Sequence, residues 1–216
     1  PAPVPSEDES DKTSEQLEGE RKQVTVMFCD IERSMSLAER LGDEAMHRLL
    51  NEFFDLALGV VHRYEGTINQ FLGDGFMALF GAPVAHEDHE RRAILSALGI
   101  LQALRLRQAR ERDWAGRDLR VRIGMNSGPV VVGRIGNNLR DDFTAVGDTT
   151  NLAARLQGEA EPGTILASEA VVRPIQAYLK VRPVGPMPIK GRDEPVVAYR
   201  IVELLSRGWR PEPPLT

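Results

Sequence analysis

Between Thr67 and Phe80 two apolar runs, Thr67 to Leu72 and Phe76 to Phe80, flank the turn Gly73-Asp74-Gly75. Asp-Gly between apolar runs is a strong hairpin signal, and Pro83 closes the second strand. An antiparallel pair cannot stand alone in water, so its apolar face must be covered. Two helical patterns flank the hairpin in sequence. Asp43 to Tyr64 places Met46, Leu49, Leu50, Phe53, Leu56, Ala57, Val60, Val61 and Tyr64 at helical spacing, with Gly66 as a stop. Glu87 to about Arg112 sets Ala93, Ile94, Ala97, Leu98, Leu101 and Leu104 on one face of a second long helix.

The remaining elements extend this alternation. Val24 to Cys29 is a short apolar run that ends at Asp30, a buried central strand. Leu119 to Met125 and Val130 to Ile135 read as strands around a turn at Asn126-Ser127-Gly128-Pro129. Asp142 to Val146 is a short strand, and Asp148 or Thr149 can cap a helix running to about Leu156. Glu161-Pro162-Gly163 is a loop, and Ile165 to Ala167, Val181 to Val184 and Val196 to Val202 complete the strands. Helices alternating with strands and hairpins imply an α/β sandwich, a mixed sheet with helices on one or both faces.

At 216 residues with 42% hydrophobic and 27% charged residues, the chain fits one globular domain. No run reaches the ~18 apolar residues of a membrane helix, and none resembles a secretory signal. Residues 1–20 hold seven acids and one base, Lys12, a charge of −6, and the rest of the chain sums to +1, which together give the net charge of −5. The neutral remainder argues against a nucleic-acid binder. The single cysteine, Cys29, excludes an internal disulfide and a Cys-based zinc site, which fits a reducing, cytoplasmic setting. We expect a disordered acidic segment over 1–20, a folded body over 21–205 and a Pro-rich tail or linker over 206–216. The missing initial Met suggests a piece of a longer protein.

Asp30, just past a buried strand, and Asp74, at a hairpin tip, converge at one sheet edge if their strands are neighbours. Two carboxylates with open coordination positions suit Mg²⁺ or Mn²⁺. The plainer alternative is that Asp74 is simply a turn residue. Gly73-Asp74-Gly75-Phe76-Met77-Ala78 matches a dinucleotide fingerprint but precedes a strand, so that context fails. No phosphate-binding P-loop and no Gly-x-Ser-x-Gly elbow occurs. His86-Glu87-Asp88-His89 lacks metalloprotease spacing and suits a solvated helix start. Asn151 and Arg155, four apart, share one helix face, while Leu152, Ala153 and Leu156 point to the core. Taken alone, the pair reads best as an exposed polar face.

Four ordered stretches narrow the reading: Val24 to Ile31, Phe71 to Gly75, Arg122 to Val130 and Thr144 to Arg155. Over roughly Gln23 to Val202 they resemble the class III nucleotide cyclase catalytic domain. That resemblance implies a ferredoxin-like core with a mainly antiparallel mixed sheet, an α+β fold. It implies that Asp30 and Asp74, helped by the Ile31 carbonyl, hold two divalent cations, Mg²⁺ or Mn²⁺. It implies that backbone amides of the Glu32-Arg33-Ser34-Met35 turn, with Arg122 and Lys190, bind the polyphosphate. Asn151 is then the ribose-orienting residue and Arg155 the one that stabilises charge at the α-phosphate.

The chain departs from the family at the base-reading pair, which is Gln70 and Thr144 here. The resemblance implies conversion of ATP to cyclic AMP, and the Gln70 amide and Thr144 hydroxyl, which each donate and accept, add an expectation of some GTP use. It also implies a head-to-tail homodimer with sites at the interface and further domains in the full-length protein. A nucleotide-binding regulatory module and a purely structural dimerisation domain stay open as alternatives.

Overall fold

The computed structural model describes residues 20–111, 114–116, 118–135, 142–188 and 194–205. In chain order the elements are β1 (Glu20–Ile31), α1 (Ser34–Leu41), α2 (Asp43–Arg63), β2 (Thr67–Phe71), β3 (Gly75–Phe80) and α3 (His89–Arg110). There follow β4 (Val121–Ile135), β5 (Asp142–Val146), α4 (Asp148–Glu159), β6 (Thr164–Ser168) and α5 (Glu169–Val172). A short 3₁₀ turn (Arg173–Tyr178), β7 (Leu179–Met187) and β8 (Val196–Leu204) finish the described chain. The strands form one eight-stranded sheet in the order β2-β3-β1-β4-β6-β8-β7, with β5 paired to β4. Among the described strands only β4 and β6 are parallel, so the sheet is mixed and mainly antiparallel, as expected.

Helices cover both faces. On one, α2 and α3 seal the main core, where Met27, Cys29 and Ile31 of β1 meet Phe53, Ala57, Ile94, Ala97 and Ile100. On the other, Val24 and Val26 of β1 join Met77, Leu79, Val130, Val132 and Ala153 of α4. Residues of β1 therefore alternate between two buried faces, which is why Val24–Cys29 is an almost unbroken apolar run. Cys29 is 1% exposed, and burial pushes its thiol far above the ordinary value, so it is inert. No described helix is long and apolar enough to cross a membrane.

Several expectations change. Asn126–Pro129 is not a turn: β4 runs unbroken from Val121 to Ile135, and Asn126, Ser127, Gly128 and Pro129 pair with Val26, Thr25, Val24 and Gln23 of β1. Turn chemistry is local, and here α4 overrides it. The Asn126 amide donates to the Thr149 carbonyl at 3.1 Å, and the Thr149 hydroxyl donates to the Pro129 carbonyl at 2.8 Å. Thr149 is thus committed to β4 and does not cap α4, whose N-cap is Gly147 with no side-chain cap bond. Ser34 and Met35 are not in a turn but open α1, with Arg33 at φ 52° as the N-cap. Glu20 belongs to β1, so the body begins one residue earlier than expected. The rest of 1–20 and of 206–216 lies outside the described residues.

Candidate active site

β1 delivers Asp30 and the β2–β3 turn delivers Asp74. Antiparallel pairing of β1 with β3 sets Asp30 opposite Gly75, the residue after Asp74. The two carboxylates come within hydrogen-bonding reach, and their charges repel. Gly75 makes the approach possible: a Cβ there would lie 2.5 Å from the Cys29 carbonyl and 2.9 Å from Asp30 Oδ1. Burial, then the charge of Asp74 and a hydrogen bond with it, push Asp30 up to about 6. Arg122 and the Ile31 backbone N–H pull the other way.

Two acidic groups forced together, one of them reluctant to ionise, are a donor set suited to a hard cation. Among the described residues no group of three or more His, Cys, Asp or Glu could hold a metal. The pair therefore leaves most coordination positions to backbone, water or phosphate oxygens. His86 and His89 form no ligand set. His89 is largely buried, with Nδ1 2.8 Å from the Thr25 hydroxyl, so it is no solvated helix start.

Arg122 pairs with Asp30 across β1 and β4, and its guanidinium stands 3.8 Å from Asp30 Oδ2. It also reaches the Gly158 carbonyl at 3.4 Å. The Glu32 N–H donates to the Arg120 carbonyl at 2.8 Å, which ties the start of the turn to the strand end. Beyond it, the N-terminus of α1 presents backbone N–H groups that lack intrahelical partners. The Ile31 side chain is 1% exposed, so only its backbone can serve a ligand.

Gln70 is exposed and sits opposite Met77. A bulge at Asn69 turns it there: Ile68 pairs with Ala78, and the register then shifts so that Gln70 pairs with Met77 and Phe71 with Phe76. Phe71 packs on Phe54 of α2, which leaves Gln70 on the α4 face. Thr144 of β5, the strand next to β2, pairs with Gly133 of β4; its side chain, and all of Lys190, lie outside the described residues.

Asn151 and Arg155 share the outer face of α4. Leu152, Ala153 and Leu156 are buried, as the periodicity implies. Ala153 and Gln157 lie against Gly124 of β4, where a Cβ would meet the Gln157 nitrogen at 2.0 Å and the Ala153 carbonyl at 2.5 Å. Asn151 and Arg155 are two residues away, about half a turn round the helix, so they point away from the sheet. Gln157 is the site neighbour that sequence reasoning missed: its amide donates to Asp30 Oδ2 at 3.5 Å. No local motif signals it, because the contact spans two distant elements.

The sheet order and the helices on both faces define a mixed α+β domain with an acid pair at one strand end. A family model described as the adenylate and guanylate cyclase catalytic domain matches residues 17–203, and the chain belongs to that family. Adenylate cyclase 1 of Rhizobium meliloti is 38% identical over 184 residues, 84% of this chain and 28% of that protein. The chain thus spans well under half of that relative. The crystal structure of the adenylyl cyclase CyaB from P. aeruginosa superposes with a TM-score of 0.77 at 32% identity, covering 87% of this chain and 97% of that one. The guanylate cyclase domain of RhGC from Catenaria anguillulae, in complex with GTP, gives 0.77 at 27% identity, covering 86% and 99%.

Proposed function

We propose that this domain converts ATP to 3′,5′-cyclic AMP and pyrophosphate, with measurable GTP use, as a head-to-tail homodimer in the cytoplasm. The observation that carries the reading is the separation of the two halves of the site within one chain. Asp30 and Asp74 sit at the sheet end, while Asn151 and Arg155 face outward from α4. Two sets that face apart on one chain support a site completed by a second chain.

Asp30, Asp74 and the Ile31 carbonyl are the groups that would hold two divalent cations. Bound there, Mg²⁺ or Mn²⁺ would acidify the 3′-hydroxyl and neutralise the triphosphate. The chain's own residues do the rest. Arg122, Lys190 and the amides around Glu32 to Met35 grip the polyphosphate. Asn151 of the partner fixes the ribose so that the 3′-oxygen lies in line with the bond to be broken. Positioning of this kind can supply up to ~7–11 kcal/mol. A bond forms from the 3′-oxygen to the α-phosphorus and the bond to the β-phosphate oxygen breaks. The hydroxyl proton passes to solvent and pyrophosphate leaves. Arg155 of the partner stabilises the charge that builds on the α-phosphate. Gln70 and Thr144 read the base edge.

Incubating the chain with ATP and Mn²⁺ and separating products by chromatography tests the reading. Cyclic AMP is the expected product. A chain that binds Mn²⁺ and nucleotide yet yields no cyclic nucleotide from ATP or GTP is a regulatory module.

A further inference from the structure

α4 touches the Asp30 end of its own chain through Gln157, on the helix face opposite Asn151 and Arg155. We propose that Gln157 is a positioning residue for the Asp30 carboxylate. Each α4 then serves two sites: Asn151 and Arg155 act on the metal pair of the partner chain, and Gln157 acts on its own. The inference rests on the split-site reading above.

The geometry divides the two oxygens of Asp30. Oδ1 lies beside Gly75, where a Cβ would stand 2.9 Å away. Oδ2 faces Gln157 Nε2 at 3.5 Å and the Arg122 guanidinium at 3.8 Å. Arg122 is itself tied to α4 through the Gly158 carbonyl at 3.4 Å. Both groups that steady Oδ2 therefore depend on where the end of α4 sits. Gly124 sets that place, because the missing side chain lets the Gln157 backbone lie directly on β4.

The chemistry suits a metal ligand. A carboxamide donor orients a carboxylate without cancelling the negative charge that a cation needs. A lysine at 157 would compete with the cation. Outer partners of this kind typically change metal affinity by 10- to 100-fold when removed.

The test uses Gln157→Met, which keeps the length and volume but has no donor, beside Gln157→Ala. Mn²⁺ alone is titrated into the full chain, with free Mn²⁺ read by electron paramagnetic resonance. Gln157→Met should bind Mn²⁺ about tenfold more weakly, with an unchanged circular dichroism spectrum. Wild-type affinity in that variant overturns the proposal.

Activity then reports which chain Gln157 serves. In a mixture of Arg155→Ala and Asp74→Asn chains, the one complete site takes its carboxylates from the first and Asn151 and Arg155 from the second. Adding Gln157→Met to the carboxylate-bearing chain should raise the Mn²⁺ concentration for half-maximal activity about tenfold. A larger effect from the other chain would show that Gln157 merely shapes α4, and the proposal falls. If the unmodified mixture regains no activity although its chains are shown to exchange, the split-site reading fails, and Mn²⁺ binding by the single chain still decides the role of Gln157.

Discussion

At Asp30 the stability of the metal-free fold and the proposed chemistry pull in opposite directions. Its carboxyl is raised from 3.8 to about 6, chiefly by burial and by Asp74. Between those values the folded chain keeps a proton that the unfolded chain has lost. Stability contributed by this group is therefore full below about pH 4 and falls as pH rises to about 6. Asp30→Asn removes the penalty. Without metal at pH 8 it should melt a few degrees above wild type, with the gap closing towards pH 4. A lower Tm for Asp30→Asn at pH 8 would contradict the strained-pair account. The same substitution, or Asp74→Asn, should cut divalent-dependent turnover by roughly a hundredfold or more. Near-normal rates in either variant would remove the metal assignment.

Gln70 and Thr144 carry the base prediction. An amide and a hydroxyl each donate and accept, so either purine can be satisfied without leaving a buried group unpaired. That penalty, ~1–3 kcal/mol, is what enforces discrimination. The ratio of kcat/KM for ATP over GTP should stay below about 10⁴, and Gln70→Lys should raise it, because lysine only donates. A gain of GTP use in that variant would show that Gln70 does not read the base.

At the scale of elements, α4 on β4 is the decisive contact. Gly124, Asn126 and Gly128 lie under the helix, and added methyls at the two glycines would meet different obstacles. At Gly124 the obstacle is Gln157 backbone at 2.0 Å; at Gly128 it is the Thr149 hydroxyl at 2.7 Å. The Thr149 hydroxyl can turn away at the cost of its bond to the Pro129 carbonyl, but helix backbone cannot move aside. Gly124→Ala should therefore lower stability by about 3 kcal/mol and Gly128→Ala by about 1, read by urea unfolding. Equal costs would mean that α4 yields as a whole.

The same contact explains what was legible in the sequence. The β2–β3 hairpin, α2, α3 and the convergence of Asp30 with Asp74 follow from local pattern plus one neighbouring strand pair. Asn126–Pro129 misleads because Gly and Pro carry turn chemistry, whereas here Gly128 makes room for Thr149 and the Pro129 carbonyl accepts its hydroxyl. The Asn69 bulge and the Gln157 contact leave no periodic trace, since each arises from how distant segments meet.

At the scale of the whole molecule, the acid pair and the Asn151–Arg155 face point apart on one chain, and the proposed site joins them across two chains. Asp74→Asn keeps the outward face and loses the acid pair; Arg155→Ala does the reverse. Each should be inactive alone. The most direct measurement is cyclic AMP formation from ATP and Mn²⁺ by an equimolar mixture of the two, with subunit exchange followed by fluorescence transfer between labelled chains. One complete site in each mixed dimer predicts recovery to about a quarter of the wild-type rate, since half the dimers are mixed and each carries one of two sites. Exchange without recovery, or full activity in a chain shown to be monomeric during turnover, would contradict the account.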